Sequence, residues 1–472
     1  MMDLGATFDA AVEREPNAVA IVDGTMRLTY AQWKERIMSV VSGLRQRGVA
    51  PGDRVVTVLQ NSEPMATLYW ATQLLGATFT PVNWRLSRDE LAFIVEDAEP
   101  RCVISERATA FEELIAGVSA TNTTPVSDDA YSIMLYTSGT TGRPKGVLRT
   151  HRAERAAALA HVAQNRYARS ERTLGVMPLY HTMGIRSLIA MTMLNGLFVA
   201  MPRWDPAQAL ELLERERITN LYLAPTLYYD LLADSSIERR DLGTLRKLGF
   251  AGAPMTPALV ERCFATFNPD VFVNHYGSTE IYTFSINDTL RAKAASAGKA
   301  GINERLRVID GEIAVHMSSP EAFSGYWKRP DAQARAIRDG WYYTGDAGKI
   351  DEDGDLFVLG RVDDMIISGG ENVYPAEVED AMAHCPAIGR IAVIGMPDER
   401  LGQKIVAFVE PANDDVKEDD LEAYARSCGM TQFKRPREYV FVRAIPQSPS
   451  GKILRTKLRA GEYERRGVSL RS

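Results

Sequence analysis

The chain has 472 residues, of which 45% are hydrophobic and 25% are charged, and its formal net charge at pH 7 is −6. This length favours one large and one small domain, each able to bury a core of its own. The weak acidic charge excludes a surface suited to wrapping nucleic acid, so we expect no nucleic-acid partner.

The cysteines and the amino-terminal segment both indicate a cytoplasmic protein. No Cys-x-x-Cys pair or histidine cluster accompanies the four cysteines, so neither a zinc site nor a disulfide framework is predicted. Residues 1–13 carry acidic side chains early and lack the basic segment of a signal peptide. The longest apolar stretch, residues 187–201, is too short to span a bilayer, so we predict no membrane span.

Short apolar strands alternate with helical segments near the start of the chain. The strands are predicted at residues 19–22, 54–59 and 77–81, and the helices at residues 30–47 and 64–75. This alternation predicts an α/β domain whose mostly parallel sheets are covered by helices.

Residues 136–146 combine glycines, Ser/Thr hydroxyls and a lysine, and they follow a predicted strand at residues 131–136. Glycines allow backbone N–H groups to face an anion, the hydroxyls add donors, and Lys145 adds a positive charge. Gly139 and Gly142 are spaced differently from the glycines of a Walker A loop. We therefore predict a phosphate-binding loop of another class, with a plain surface connection as the alternative. Its binding residues would be Thr137, Ser138, Gly139, Thr140, Thr141 and Lys145.

Further strands are predicted at residues 218–224, 245–250 and 271–276, after an alanine-rich helix at residues 152–169. Ligands of open α/β sheets bind beyond the carboxyl ends of parallel strands. The segments that follow these strands are therefore candidate parts of a site.

The last hundred residues predict a compact α+β domain. Residues 365–375 are apolar and then glycine-rich, and a helix is predicted at residues 375–383 with proline in its first turn. Residues 433–471 hold eleven Lys/Arg against three Glu, a pattern that is also typical of a solvated face.

Five motifs occur in a fixed order along the chain. They are residues 136–146, 276–280 (Tyr-Gly-Ser-Thr-Glu), 343–346 (Tyr-Thr-Gly-Asp), 360–364 (Gly-Arg-Val-Asp-Asp) and 449–452 (Pro-Ser-Gly-Lys). Together they resemble the motifs of the adenylate-forming superfamily, which contains acyl-CoA synthetases, adenylation domains of peptide synthetases and luciferases. The resemblance covers nearly the whole chain, and residues 360–375 are most similar to those of 4-chlorobenzoate–CoA ligases.

The resemblance implies an AMP-forming carboxylate–CoA ligase. A carboxylic acid and ATP would give acyl-AMP and pyrophosphate, and the CoA thiol would then give acyl-CoA and AMP, with Mg²⁺ as cofactor. Residues 1–362 would bind AMP and the acid, and residues 363–472 would form a mobile lid with its hinge at Asp363. Lys452 would bring a cation to the adenylation step and later withdraw. A homodimer is one assembly compatible with the resemblance.

The resemblance also implies roles for single residues at the nucleotide and CoA sites. Glu280 would bind Mg²⁺, Thr279 would contact phosphate, and His181 would gate the acid pocket. The adenosine residues would be Gly252, Ala253, Tyr276, Gly277, Asp346 and Arg361. The CoA residues would be Arg85, Gly369, Gly370, Phe433, Arg435 and Arg437.

The acid pocket implied by the resemblance contains polar side chains at two positions, His275 and Tyr282, where chlorobenzoate-type relatives have apolar residues. An unpaired buried polar group costs about 1–3 kcal/mol, which favours an acid that returns the hydrogen bond. We expect a small acid with a polar group, either a short branched hydroxy acid such as 2-hydroxyisobutyrate or a hydroxybenzoate. If His275 and Tyr282 bond to protein or water instead, an unsubstituted benzoate is the alternative. The implied lining is Ala160, His181, Thr182, Met183, Ala251, His275, Gly277, Tyr282 and Thr283.

Two other classes of function remain open: an adenylation enzyme that charges a carrier protein, and a non-catalytic nucleotide-binding scaffold. No carrier domain is recognisable in the sequence, which disfavours the first. A scaffold would not be expected to keep the proposed catalytic and nucleotide-binding side chains together. Pyrophosphate release with acid and ATP, followed by thioester formation on adding CoA, separates the three.

Overall fold

The computed structural model describes residues 2–105, 111–115, 123, 125–137, 144–447 and 453–466. The chain divides into a first unit, Met1–Leu306 with Val315–Tyr342, and a second unit, Arg307–Ala314 with Tyr343–Ser472. The boundary between residues 362 and 363 remains a prediction, as does the hinge at Asp363. Among the described helices, none combines the length and apolar character needed to cross a bilayer.

The elements up to residue 150 contain the strands and helices predicted between residues 18 and 81. They are α1 (Leu4–Arg14), β1 (Val19–Asp23), β2 (Met26–Thr29), α2 (Tyr30–Gln46), β3 (Arg54–Val58), α3 (Glu63–Leu75), β4 (Thr78–Pro81), α4 (Arg88–Ala98), β5 (Cys102–Ser105), α5 (Phe111–Ile115), β6 (Tyr131–Thr137) and β7 (Lys145–Thr150).

The elements that follow alternate between helix and strand as far as β12, after which strands predominate. They are α6 (His151–Gln164), β8 (Arg172–Gly175), α7 (Thr182–Met193), β9 (Leu197–Ala200), α8 (Pro206–Arg215), β10 (Asn220–Leu223), α9 (Pro225–Ala233), β11 (Lys247–Ala251), α10 (Pro257–Phe267), β12 (Val271–Tyr276), β13 (Ser285–Asn287), β14 (Lys299–Ala300), β15 (Leu306–Ile309), β16 (Glu312–His316), β17 (Gly325–Tyr326), α11 (Pro330–Ala336), β18 (Ile337–Arg338) and β19 (Trp341–Ile350).

The remaining elements belong to the second unit. They are β20 (Leu356–Arg361), β21 (Ile366–Ser368), β22 (Glu371–Val373), α12 (Pro375–Met382), β23 (Ile388–Asp398), β24 (Gly402–Pro411), α13 (Glu418–Ser427), β25 (Glu438–Phe441) and α14 (Arg455–Arg459).

Two sheets organise the first unit. One has nine strands in the order β14-β13-β12-β11-β10-β8-β9-β1-β2, and the other has six in the order β17-β7-β6-β4-β3-β5. The strands from β12 to β1 in the first sheet, and from β5 to β6 in the second, are parallel. Both sheets add antiparallel strands at their edges. The predicted α/β fold is confirmed.

Helix α3 shows how the core between these elements is built. Ser62 caps its amino terminus by accepting from the Met65 N–H, and Gly76 ends it in the left-handed conformation at φ +77°. Nearly every side chain between these two caps is buried, and the Trp70 ring lies 5.0 Å from that of Phe8 in α1. A helix that is buried on all sides lies within the core.

Helix α6 is shorter than the sequence predicts, and the reason lies at its carboxyl end. The helix stops at Gln164, and Arg166 adopts a left-handed φ of +53°. Asn165 turns its side-chain amide back to the His161 carbonyl at 2.7 Å, which satisfies one of the last free carbonyls of the helix. The side chain of Asn165 is thereby directed into the protein interior, where it is 1% exposed.

The second unit has its own sheet and core. Strand β24 pairs with β23, β21 and, in parallel, β25. Ser368 at the end of β21 lies directly opposite Glu371 at the start of β22, so the hairpin loop consists of the two residues between them. These are Gly369 and Gly370, with φ +61° and +87°. A two-residue hairpin with both central residues at positive φ favours glycine at both positions.

Candidate active site

Parallel strands β11 and β12 bring two predicted nucleotide segments to one edge of the nine-stranded sheet. Ala251, the last residue of β11, lies opposite His275 in β12. The strands therefore end side by side, and residues 252–253 and 277–280 leave the sheet at its carboxyl edge. This is the edge at which open α/β sheets bind ligands.

The described ends of the phosphate loop lie on the six-stranded sheet. Thr137 of β6 pairs with Lys145 of β7, so the two strands form an antiparallel hairpin. The Lys145 ammonium lies 4.8 Å from the centre of the Tyr326 ring in β17. Four predicted loop residues and the predicted catalytic lysine lie outside the described residues: Ser138, Gly139, Thr140, Thr141 and Lys452.

Glu280 is 8% exposed and is oriented through both of its carboxylate oxygens. The Tyr326 hydroxyl donates to Oε1 at 2.7 Å, and the Ser278 hydroxyl donates to Oε2 at 2.8 Å. Each oxygen keeps a further lone pair, and Mg²⁺ is usually held by one or two carboxylates together with substrate phosphates. The donor set at Glu280 therefore fits the predicted magnesium ligand, with Thr279 half-buried beside it.

A buried ion pair holds the backbone around Thr279 and Glu280 through hydrogen bonds. Arg149 and Glu154, both fully buried, form a close pair through the arginine Nε. The Arg149 Nη1 also donates to the carbonyl oxygens of Thr279, Glu280 and Glu321 at 3.3, 3.0 and 2.9 Å. A guanidinium can bind several carbonyls at fixed angles, so Arg149 holds the residues around Glu280 in place.

The Tyr282 side chain is part of the same pair. Its ring lies 3.6 Å from the Arg149 guanidinium carbon, and its hydroxyl donates to Glu154 Oε2 at 3.1 Å. Burial raises the pKa of the Tyr282 hydroxyl well above its usual range, so it remains protonated. The hydroxyl already donates its proton to Glu154, so it has no further proton to donate to an acid.

Asn165 fixes the tautomers of two buried histidines. A backbone carbonyl can only accept, so the contact to the His161 carbonyl identifies the Asn165 amide nitrogen, which also lies 2.9 Å from His161 Nδ1. The amide oxygen then accepts from His275 Nε2 at 3.3 Å. The proton of His161 is therefore on Nε2, and Nδ1 of His275 carries none. Neither atom has a hydrogen-bond partner among the described residues.

Both histidines are neutral at physiological pH. Burial, with a contribution from the nearby Arg186, lowers the pKa of His161 and of His275 well below the usual range. The two rings lie 5.3 Å apart, and each lies beside the Tyr222 ring, at 4.6 and 5.1 Å. His275 lies opposite Ala251 in the sheet, and His161 follows the buried Ala160 in α6.

The start of helix α7 supplies the next part of the predicted acid pocket. His181 caps the helix, its Nδ1 accepting from the Met183 N–H at 3.3 Å. Burial and the charge of Arg186 lower the pKa of His181 to about 4, so the ring is neutral. Thr182 and Met183 are buried, and Thr283 accepts a hydrogen bond from Arg186.

The predicted ribose residues pair within the second unit. Asp346 of β19 lies opposite Arg361 of β20, and their charged groups are 2.9 Å apart. The Arg361 Nη1 also donates to the Thr344 carbonyl at 2.9 Å. The carboxylate of Asp346 is thus oriented by its neighbour across the strand pair.

The predicted CoA residues are separate in the chain and mostly at the surface. Arg85 is exposed, with its guanidinium 4.8 Å from the Trp84 ring. In the second unit, Arg435 Nε donates to the Met430 carbonyl at 3.2 Å, and Arg437 is exposed. The others, in the second unit, are the half-buried Phe433 and the exposed hairpin residues Gly369 and Gly370.

Comparison with known proteins identifies the family. Residues 8–327 match the family model described as AMP-binding enzyme, and residues 377–452 match the AMP-binding enzyme C-terminal domain. The chain belongs to the AMP-binding enzyme family. The resemblance drawn from the motifs is confirmed, and this member is an AMP-forming acyl-CoA synthetase that uses ATP, CoA and a carboxylic acid.

Several relatives of known activity match over most of their length. A feruloyl-CoA synthase of Amycolatopsis sp is 34% identical, with 94% of this chain and 96% of that protein covered. A 4-chlorobenzoate–CoA ligase of Arthrobacter sp is 32% identical, with 95% and 93% covered. The crystal structure of ATP-bound MatB from Rhodopseudomonas palustris has a TM-score of 0.90 at 28% identity, covering 98% of this chain and 99% of that chain.

Sequence reasoning missed three polar residues that organise this AMP-binding enzyme: Arg149, Asn165 and Arg186. Arg186 had a readable signal, because it is the one charged residue in the otherwise apolar or neutral helix Thr182–Met193. Arg149 similarly lies within a strand whose central residues are buried. A charged residue inside an apolar element is seldom buried without a specific partner.

Proposed function

We propose that this acyl-CoA synthetase activates a small carboxylic acid that carries a polar group. The observation that supports this proposal is the buried cluster around His161, His275 and Arg186, whose polar atoms include several with no hydrogen-bond partner among the described residues. A buried polar atom left unpaired costs free energy, and a ligand that returns the hydrogen bond recovers it. A short branched hydroxy acid, or a hydroxybenzoate, has the required chemistry.

The residues proposed for the first half reaction offset the repulsion between the negative charges of the acid and of ATP. An acid oxygen attacks the α-phosphorus of ATP, and pyrophosphate leaves, so negative charges converge. Glu280 would hold Mg²⁺, which when bound supplies positive charge to the phosphates. Lys145 and Lys452 would add the remaining cations, and Thr137 and Thr279 would donate to phosphate oxygens.

In the second half reaction the CoA thiol attacks the acyl carbon and AMP leaves. We propose that the lid turns about Asp363, which withdraws Lys452 and brings Gly369 and Gly370 to the pantetheine arm. A thiol with a pKa of about 8.5 reaches the thiolate form readily enough to need no dedicated base.

An unsubstituted aromatic acid is the second candidate. The hydrogen bonds of Tyr282 to Glu154 and of His275 Nε2 to Asn165 favour it, because these two groups are already satisfied by the protein. His275 Nδ1 and His161 Nε2, which have no partner in the part of the chain that the structure describes, favour the polar acid instead.

The polar-acid proposal predicts a preference between matched acids. We expect kcat/KM for pyrophosphate release to be about tenfold or more higher for a hydroxy acid than for its deoxy analogue, since one buried hydrogen bond is at stake. 2-Hydroxyisobutyrate against isobutyrate, and 4-hydroxybenzoate against benzoate, are suitable pairs. His275→Ala should lower the ratio, whereas the control His384→Ala, at an exposed position of the second unit, should not. A preference for the deoxy acids that His275→Ala leaves unchanged would refute the proposal.

The hinge proposal predicts that Asp363→Pro separates the two half reactions. Proline fixes φ and removes a backbone N–H, so rotation at this position is restricted. Adenylate formation should persist while thioester formation falls at least about tenfold, since the lid must turn for CoA. Rapid-quench assays measure the two steps separately. Asp364 is the neighbouring control: it pairs with Arg459 at 2.9 Å, so Asp364→Asn should not reproduce the split. An unchanged steady-state rate in Asp363→Pro would show that the hinge lies elsewhere.

A further inference from the structure

Arg186 is a buried cation whose hydrogen-bond partners, among the described residues, are all neutral. It lies one turn after Thr182 in helix α7 and is 2% exposed. Its Nη1 donates to the Thr283 hydroxyl and its Nη2 to the Tyr222 hydroxyl. Its Nε has no acceptor among the described residues. Two hydroxyls satisfy only part of the donor set of a guanidinium.

The positive charge of Arg186 is not neutralised by contact. Among the described residues no carboxylate lies within ion-pair distance of it, whereas Arg149, the other fully buried arginine, has Glu154. The acidic group that interacts with Arg186 from further away is Glu321, whose Oε1 accepts from Asn303 at 3.0 Å. Burial raises the pKa of Glu321, whereas the charges of Arg186 and Arg149 act in the opposite direction.

An uncompensated buried guanidinium is costly, because arginine stays charged at every physiological pH. Proteins keep such a charge where a ligand brings the opposite one. A neutral hydroxyl on the ligand would accept a hydrogen bond from Nε but would leave the charge in place. A carboxylate would accept the hydrogen bond from Nε and would also neutralise the positive charge.

A second open donor lies next to Arg186. Tyr222, which accepts from Arg186, has its ring 4.6 Å from that of His161, and the proton on His161 Nε2 has no acceptor among the described residues. The charge of Arg186 also acts on His161, which places the two donors near one another. Paired donors of this kind suit the two oxygens of one carboxylate.

We propose that Arg186 binds a second carboxylate of the substrate, so that the acid activated is a small dicarboxylic acid. This inference rests on the proposed function, and it specifies that the polar group of the small acid is a second carboxylate. One carboxylate stays ionised on Arg186 and takes no part in bond formation. The other attacks the α-phosphorus of ATP and then accepts the CoA thiol, with pyrophosphate and AMP as leaving groups. The product is therefore a monothioester with a free carboxylate.

The test compares each dicarboxylic acid with its monoamide, which has nearly the same shape and lacks the second charge. Malonate, succinate, glutarate and phthalate, each beside its monoamide, cover the size range. For at least one pair we expect kcat/KM for pyrophosphate release to be about a hundredfold higher for the diacid, as removing one partner of a buried charge pair predicts. Arg186→Gln should reduce that ratio to about tenfold or less, and Arg186→Lys should keep part of it.

Two controls separate specificity from folding. Arg335→Gln removes an exposed arginine of α11 that pairs with Asp331, and the ratio should stay at its original value. Thermal shift measurements on the intact protein report binding without turnover. The preferred diacid should raise the melting temperature of the original protein more than its monoamide does, and Arg186→Gln should abolish the difference.

Several outcomes would overturn the inference. They are a neutral hydroxy acid or monoamide preferred over every diacid, an equal loss for diacid and monoamide in Arg186→Gln, and the absence of any thermal shift with all four diacids. The first of these leaves the polar-acid proposal standing. Failure of every acid, charged or neutral, to release pyrophosphate with ATP would instead refute the proposed function itself.

Discussion

Lys452→Ala should abolish adenylate formation from acid and ATP while sparing thioester formation from a supplied acyl-adenylate. The transition state of the first step gathers negative charge from the acid and the phosphates, and removing one preorganised donor of this kind typically costs about a hundredfold to a thousandfold in rate. In the second step AMP is already the leaving group, and the proposed mechanism has withdrawn the lysine. The two half reactions should therefore respond differently to one substitution.

The described residues next to Lys452 are held in place by contacts that the substitution leaves unchanged. On either side of residues 448–452, Gln447 and Ile453 pair across a β-bridge, and the Leu454 N–H donates to the Pro446 carbonyl at 2.8 Å. Arg455 then binds both oxygens of Glu379, at 2.6 and 2.7 Å. These anchors belong to the second unit and are made by described residues that the substitution leaves unchanged.

Pyrophosphate release and acyl transfer from a synthetic adenylate measure the two half reactions. Lys457→Ala is the matched control, since its ammonium is half-exposed in α14 and lies 3.9 Å from Glu462. It should leave both rates within about twofold, as expected for a surface ion pair. Comparable losses in both half reactions of Lys452→Ala would show that this lysine does not act on adenylation alone.

Helices and strands could be predicted from the sequence because the spacing of apolar residues and the turn residues specify them locally. The strand predicted at 271–276 is β12 without change, and the helix predicted at 30–47 ends one residue earlier. The helix predicted at 152–169 was too long, because alanine-rich propensity continues past Gln164 while Asn165 ends the helix through a side-chain contact. Sheet order was not predictable, since it depends on contacts between distant segments.

The site was readable only where short motifs carry it. The segment containing Tyr276 and Glu280 follows a strand in the sequence and leaves the sheet edge in the structure. In contrast, the partners of Arg149 include residues more than a hundred positions away, and the tautomers of His161 and His275 depend on Asn165. Spacing along the chain contains no information about such pairings.

Arg149→Leu should destabilise the protein by about 3–5 kcal/mol, because it leaves the Glu154 carboxylate buried without its partner. It also removes the donor shared by the carbonyls of Thr279, Glu280 and Glu321. The midpoint of urea unfolding measures the loss. Arg152→Leu is the control, since Arg152 is partly exposed and pairs with the exposed Asp129 as well as the half-buried Asp128; an exposed ion pair contributes about 0–1 kcal/mol, so a smaller loss is expected.

Replacing both members of the pair separates stability from the positioning of Glu280. In Arg149→Leu/Glu154→Leu no charge of the pair remains buried, and apolar replacement of such pairs is often neutral for stability. We therefore expect the urea midpoint to recover most of its loss. Adenylation should stay at least about tenfold below the original rate, since the carbonyls around Glu280 still lack their donor and the carboxylate is no longer held in place. Recovery of adenylation together with stability would show that Arg149 contributes only to folding.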